Sequence, residues 1–452
     1  MHLKSVSFTL LMLTPLVFAA EFDPLNTHAL VSPNEMKQNA CHNVDLEKEL
    51  TLSDVINMAL CHNPQTKIAW ETSLYHAAQV GMSRAAYLPT LSASGSASRG
   101  TNSETMTGNS ENISVTLSYL LYDFGKRDAS YDNTRALLDA ALYSENDTLQ
   151  TVFLLALEAY YNLFGSQASL DAAYEAERSA FESLNAAKTR YGVGVVTPAD
   201  TLQAQTAYSQ AMLNRIQAQG NLKTAQGELA AILGLLPDTS LRLRVPKLSL
   251  PDGSFEKNIR ALMEEAQRLR PDLMAASAKI KASEASLKAA KAEHLPSFSL
   301  SATKGSTETV YNTTQRNSSI GLYVSIPIFT GFNTKYKVQA AQQQLKISEA
   351  EYERLSQDAN LEVYKTYQTL VSQTQATRTS ADLVASAQAS YDLALGRYKA
   401  GVGTILDLLS AQSALASAKQ QHIQALYTWY ISKATLAKSM GSLDFSVIKG
   451  QP

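Results

Sequence analysis

Two carboxylates occupy near-identical surroundings. Asp200 closes the run Arg190-Tyr-Gly-Val-Gly-Val-Val-Thr-Pro-Ala-Asp200, and Asp407 closes Arg397-Tyr-Lys-Ala-Gly-Val-Gly-Thr-Ile-Leu-Asp407. The glycines invite a nucleotide-binding reading. A phosphate-cradling loop, however, follows a strand, opens a helix and carries a third glycine, whereas these runs end long helical patterns and no third glycine arrives. An acid three residues after a threonine is instead a helix start. Thr197 and Thr404 then cap the helix, and Asp200 and Asp407 return a bond to the capping residue's amide. Pro198 suits the first helical position.

The other reactive side chains are sparse. Cys41 and Cys61 are the two cysteines, each followed by a histidine, His42 and His62. A local disulfide in an oxidising compartment, worth about 3 kcal/mol for a loop of this size, is the leading reading. Two free thiols and a metal site are the alternatives, the metal lacking any CxxC or HxxxH spacing to support it. No Gly-x-Ser-x-Gly or His-Glu-x-x-His occurs, and the seven histidines are scattered. We therefore expect no catalytic set, no metal centre and no cofactor.

Composition narrows the class. Among 452 residues, 39 basic side chains face 41 acidic ones, leaving a net charge of −2 and no basic patch to hold nucleic acid. Lys4, the apolar run Val6–Phe18 and the small residues Ala19 and Ala20 read as a signal peptide over residues 1–20. That run is too short to span a bilayer as a helix, which needs about 20 apolar residues. Glu21 rather than a cysteine follows, so no lipid anchor is expected. Any membrane role then falls to strands.

The elements that position the two carboxylates come in duplicate. The Asp200 and Asp407 runs are 207 residues apart (397 − 190 = 207 for their arginines), and Pro64/Pro271, Leu88-Pro89/Leu295-Pro296 and Gly234/Gly441 keep that offset. Each half reads as a short helix, a second helix opened by proline, two strands, a very long helix, the Gly-Val-Gly turn and a final helix. Alternating residues place strands at about 88–98, 112–123, 295–305 and 318–329, apolar on one face and small and polar on the other. The polar stretches 99–111 and 305–317 read as loops. Leu138, Leu142, Leu149, Phe153, Leu157, Tyr160 and Phe164 recur at steps near 3.5, which implies coiled-coil-like packing. The expected organisation is an N-terminal segment 21–50, a first repeat 51–234, a linker 235–257, a second repeat 258–441 and a tail 442–452. Tyr119, Tyr122, Phe124, Phe298, Phe329 and Phe332 gather at strand ends, as an aromatic belt at a membrane interface or as packing between strands and helices. Four strands cannot close a barrel, so copies must pool them.

The pattern resembles the TolC family of outer-membrane channel-tunnels. Leu88-Pro-Thr-Leu91 and Leu295-Pro-Ser-Phe298 enter the strands, Tyr122-Asp-Phe-Gly125 and Pro327-Ile-Phe-Thr-Gly331 leave them, and Tyr-x-x-Gly-x-x-Thr-x-x-Asp stands at both turns. The resemblance implies a homotrimer with a 12-stranded outer-membrane barrel, four strands per copy, continued by a periplasmic α-helical tunnel. It further implies a passive, non-enzymatic conduit in a Gram-negative outer membrane, docked through a periplasmic adaptor on an inner-membrane ABC or RND transporter. By the same resemblance Asp407 matches a ring of carboxylates at the tunnel entrance. Asp200 and Tyr398 match its closing network, and Tyr191, Thr404, Gly401 and Gly194 complete the turns. Gly403 and Ser410 depart from the family pattern, where a constriction arginine and a second acid stand. Leu60-Cys61-His-Asn-Pro64, with Cys41 upstream, resembles the branch that includes the outer-membrane component of adenylate cyclase–haemolysin export. Protein secretion is therefore expected, with small-molecule efflux as the alternative and a non-conducting periplasmic coiled coil as a remote one.

Overall fold

Every helix of the first half has a twin in the second, residue for residue, in the computed structural model, which describes residues 23–31, 48–102, 105–246, 258–308 and 314–445. Helices α1 (Leu52–His62), α2 (Pro64–Ala85), α3 (Lys126–Gly192) and α4 (Pro198–Ile232) are repeated as α5 (Ile259–Leu269), α6 (Pro271–Ala292), α7 (Asn333–Lys399) and α8 (Ile405–Ser439). Left-handed backbone repeats too. Phe124 and Gly125 carry positive φ where α3 begins, as do Gly331 and Phe332 where α7 begins. At 67 residues each, α3 and α7 span about 100 Å. Helices α2 and α4 both pack along α3, one beyond the other, and α6 and α8 do the same along α7. The two halves join where α3 meets α6 and α8.

Strands β1 (Thr90–Asn102), β2 (Thr105–Tyr122), β3 (Ser297–Glu308) and β4 (Thr314–Ser325) form one antiparallel sheet in sequence order. Pairing keeps the parity of the sequence: Leu91, Leu117, Ala302 and Ile320 lie in one cross-strand row, and Ser92, Thr116, Thr303 and Ser319 in the next. The polar face is tied by hydroxyls, with Ser94 and Ser114 2.9 Å apart and Thr116 and Thr303 3.2 Å apart. The apolar face lies open, Ile113, Leu117, Ile320 and Leu322 all being exposed.

Two expectations need correction. The stretches 99–111 and 305–317 are not loops over most of their length, because β1 and β2 stay paired out to Asn102↔Thr105 and β3 and β4 out to Glu308↔Thr314. Alternating hydrophobicity marks only the part of a hairpin that has an apolar face. A Ser/Thr/Asn ribbon in water keeps its ladder without that signal. Conversely, β4 stops at Ser325 rather than near residue 329. The equivalent part of β2, Tyr119–Tyr122, is held by β3, whereas β4 is an edge with no further strand beside it among the described residues. Pro327 also has no N–H to donate.

The main core lies at the waist, where α1 and α5 wedge against the long helices. Phe153, Tyr160, Tyr161 and Phe164 of α3 meet Trp429 and Tyr430 of α8 there. Leu50 forms a parallel bridge to Leu243, so the segment entering α1 is stitched to the chain leaving α4. Tyr160 donates to the Arg244 carbonyl at 2.6 Å. The helix joints are again duplicated. Asn63 Nδ2 donates to the Ile232 carbonyl at 3.0 Å, and its counterpart Arg270 donates from Nη1 to the Ser439 carbonyl at 2.9 Å. Opposite each joint stands a glycine with positive φ, Gly234 (72°) and Gly441 (74°). A Cβ would lie 2.8 Å from the His62 carbonyl oxygen in the first case and 2.7 Å from that of Leu269 in the second. Among the described residues no helix is long and apolar enough to cross a membrane.

Candidate functional site at the helical tip

The end of the molecule remote from the sheet is made by the two turns, α3-to-α4 and α7-to-α8. Each long helix ends in a glycine in the left-handed region, Gly194 (φ 76°) and Gly401 (φ 81°), whose amides take the Tyr191 and Tyr398 carbonyls at 2.9 and 3.1 Å. The next helix then starts on a threonine–aspartate pair. The Asp407 amide donates to Thr404 Oγ1 at 3.1 Å, and the Thr404 amide returns to the Asp407 carboxylate at 3.4 Å. At the first turn the Asp200 carboxylate accepts both the Thr197 amide, at 2.9 Å, and the Thr197 hydroxyl, at 3.1 Å. Both acids therefore sit in the first turn of a helix, where a carboxylate complements the positive end of the helix dipole.

The tip residues named from the sequence fall into two groups. Tyr398 is buried, packing with Leu184, Ala187, Ala204, Ile405 and Leu408 in a small apolar cluster that locks the two turns together. Burial pushes its phenol above the usual range, with the Asp200 carboxylate acting in the same direction and Arg190 opposing. Its hydroxyl has no hydrogen-bond partner among the described residues. Asp200 is half-buried beside this cluster, whereas Tyr191, Thr404 and Asp407 are exposed. The structure thus brings Tyr398 and Asp200 together and leaves Asp407 facing solvent. Gly403 packs its backbone at the Arg397–Tyr398 peptide, where a Cβ would meet Arg397 Cβ at 3.0 Å.

One residue of this site was not singled out from the sequence. Arg190 lies with its guanidinium 4.2 Å from the centroid of the Tyr398 ring, and it donates to the Tyr398 and Lys399 carbonyls at the end of α7. It therefore closes one turn by capping the other. The available signal was the paired Arg-Tyr at both turns, since a guanidinium and a ring one half apart are suited to stacking.

The remaining predicted positions lie elsewhere. Tyr122 stacks edge-on with Phe124 (4.7 Å), which neighbours Phe298 (6.4 Å), while Phe329 pairs with Phe332 (5.5 Å). These rings and Tyr119 lie where the sheet meets the helices, and Phe329 and Phe332 are well exposed. Asp123 and Arg127 bind the same junction, the guanidinium donating to the Leu120 carbonyl at 2.7 Å and to the Asp123 carboxylate at 3.2 Å. Cys61 lies in α1 against the waist core, and Cys41 lies outside the described residues. The signal-peptide region 1–20 and much of the tail, 446–452, lie outside them as well. Among the described residues no group of three or more His, Cys, Asp or Glu could hold a metal ion. What the tip offers chemically is carboxylate charge at or near the surface rather than a reacting pair.

Comparison with known proteins agrees with this geometry. The family model described as outer membrane efflux protein matches residues 55–235 and again 262–442, one match per half. Protein CyaE of Bordetella pertussis is 31% identical over 413 residues, covering 89% of this chain and 86% of that protein. The probable efflux pump outer membrane protein TtgC of Pseudomonas putida is 29% identical over 406 residues, covering 86% and 82%. Among solved structures, the CmeC outer membrane channel of Campylobacter jejuni superposes with a TM-score of 0.76 at 21% identity, over 88% of each chain. With the family model matched in both halves and a relative above 30% identity along most of its length, this chain belongs to the outer membrane efflux protein family, the family of the TolC-like channels.

Proposed function

We propose that this channel protein of the outer membrane is the homotrimeric exit duct of a tripartite export system. In this reading it serves type I secretion of a protein, with a periplasmic adaptor and an inner-membrane ABC transporter. The observation that carries the duct is the sheet. It has one apolar and one hydroxyl-bearing face and, among the described residues, two unpaired edges, β1 and β4, and it continues into helices about 100 Å long. An open apolar sheet is stable only when its edges are paired and its outer face meets lipid. Three copies supply 12 strands, enough for a closed barrel. The chain has no energy source of its own, so transport is driven from the inner membrane.

The protein-secretion branch is supported by Leu60-Cys61-His-Asn-Pro64 and by the 31% identity to Protein CyaE. The efflux reading is supported by the 29% identity to TtgC, a probable efflux pump component. A clean deletion strain separates them. Loss of one large polypeptide from the culture supernatant, with unchanged drug susceptibility, is the expected result. An intact supernatant with new sensitivity to dyes, detergents or antibiotics would make the protein an efflux outlet instead.

A further inference from the structure

The tip contact between Arg190 and Tyr398 uses only half of what the repeat provides. Arg190 has the counterpart Arg397, and Tyr398 has the counterpart Tyr191, at the same offset. Both counterparts are exposed, and among the described residues neither side chain has a hydrogen bond, ion pair or ring contact. The backbone around them is ready. Helix α3 ends at Gly192 as α7 ends at Lys399, and Gly194 and Gly401 turn the chain with nearly the same φ. The carbonyls that Arg190 takes, those of Tyr398 and Lys399, therefore have equivalents at Tyr191 and Gly192 that no side chain takes among the described residues.

Within one chain the first-half turn meets the second-half turn once. In a closed ring of copies, each second-half turn also meets the first-half turn of the next copy. We propose that Arg397 of each copy clasps Tyr191 of the partner subunit, its guanidinium over the ring and its N–H groups on the carbonyls that end α3. This rests on the reading of the protein as a closed ring of copies. The occupant of the exposed Tyr191 face is thus a second copy of this chain, because the chain's own other half displays the fitting arginine. The two seams are unequal. Where the internal one buries Leu184, Ile405 and Leu408, two of the repeat-related positions hold Pro198 and Thr201, and the third, Tyr391, packs against the internal cluster itself. With less aliphatic surface to bury, the seam between copies leans more heavily on the clasp.

Repeat-related photo-cross-linking tests this directly. Tyr191→p-benzoylphenylalanine and Tyr398→p-benzoylphenylalanine are made separately in the full chain, purified in detergent and irradiated. The first should yield adducts of two and three chain masses on a denaturing gel, the second only chain-mass species. Light scattering on the unirradiated sample reports the number of copies. A multi-copy assembly in which position 191 gives nothing above one chain mass overturns the clasp. A single-copy mass sinks the ring itself. In planar bilayers, Arg397→Ala and Tyr191→Ala should each raise the resting conductance several-fold, and the double variant no further. Tyr191→Phe, which keeps the ring, should rescue the closed state. Effects that multiply in the double variant would assign the two residues to separate contacts and overturn the proposal.

Discussion

At the scale of single residues, charge decides most of what is special here. Asp407 stands exposed in the first turn of α8, one carboxylate per copy. Three of them around a narrow opening would concentrate negative potential and draw cations. Asp407→Asn should lower cation preference and weaken block by multivalent cations in planar-bilayer recordings, and unchanged selectivity would remove Asp407 from the gate. Arg270 is a structural charge at the waist, bound to Asp272 (2.8 Å), Glu362 (2.7 Å) and the Ser439 carbonyl (2.9 Å). Burial alone would raise the Asp272 carboxyl, but the Arg270 guanidinium outweighs it and holds the group below its ordinary value of 3.8. A depressed carboxyl stabilises the fold above its unfolded pKa, and that contribution fades as pH falls through the lower folded value. Arg270→Ala should therefore cost about 2–3 kcal/mol at neutral pH. In denaturant titrations the gap from the parent protein should narrow as the pH drops below about 4. The acids and threonines of the tip were legible from spacing alone, because capping has a three-residue signature. Arg190 was not, since its partner Tyr398 is brought to it by packing between halves that no local pattern encodes.

At the scale of elements, face and register carry the function. Ile320 and Ser319 are neighbours on β4 that point to opposite faces, Ile320 in the row of Leu117 and Ala302, Ser319 beside Thr303. Ile320→Lys on the lipid-facing side should cost about 2–4 kcal/mol if it sits near the bilayer midplane. It should deplete detergent-resistant oligomers on unheated gels, while Ser319→Lys should assemble normally. Equal loss from both would contradict the assigned faces. The glycine joints make a second case. Gly441→Ala forces an alanine into positive φ and a Cβ to 2.7 Å from the Leu269 carbonyl oxygen. A loss of about 1–3 kcal/mol from backbone strain is expected, with a clear fall in thermal midpoint. Alternation revealed the strands near the helices, and a 3.5 period revealed α3 with its apolar stripe. The outer halves of both hairpins escaped notice because Ser, Thr and Asn on both faces look the same whether the backbone is paired or free. The sequence overextends the end of β4 because it shows an apolar run without showing that β4 is an edge strand whose continuation has no partner among the described residues.

At the scale of the whole molecule, duplication is the organising fact. The helices recur with identical lengths, and the joints at Asn63 and Arg270 make the same contact with different chemistry. The fold class was therefore legible as soon as the offset was seen. Cargo was not, because nothing in a hydroxyl-lined sheet or a capped turn specifies what passes by. The open sheet has a further consequence for the chain before it joins its fellows. A single copy exposes the unpaired edges of β1 and β4, with Ile328 94% accessible just past the end of β4. Such a surface invites pairing with any extended peptide it meets. A newly exported chain is thus most hazardous to the cell in the interval before assembly. Over-expression that outpaces assembly should therefore yield aggregated single chains while the assembled duct remains sound.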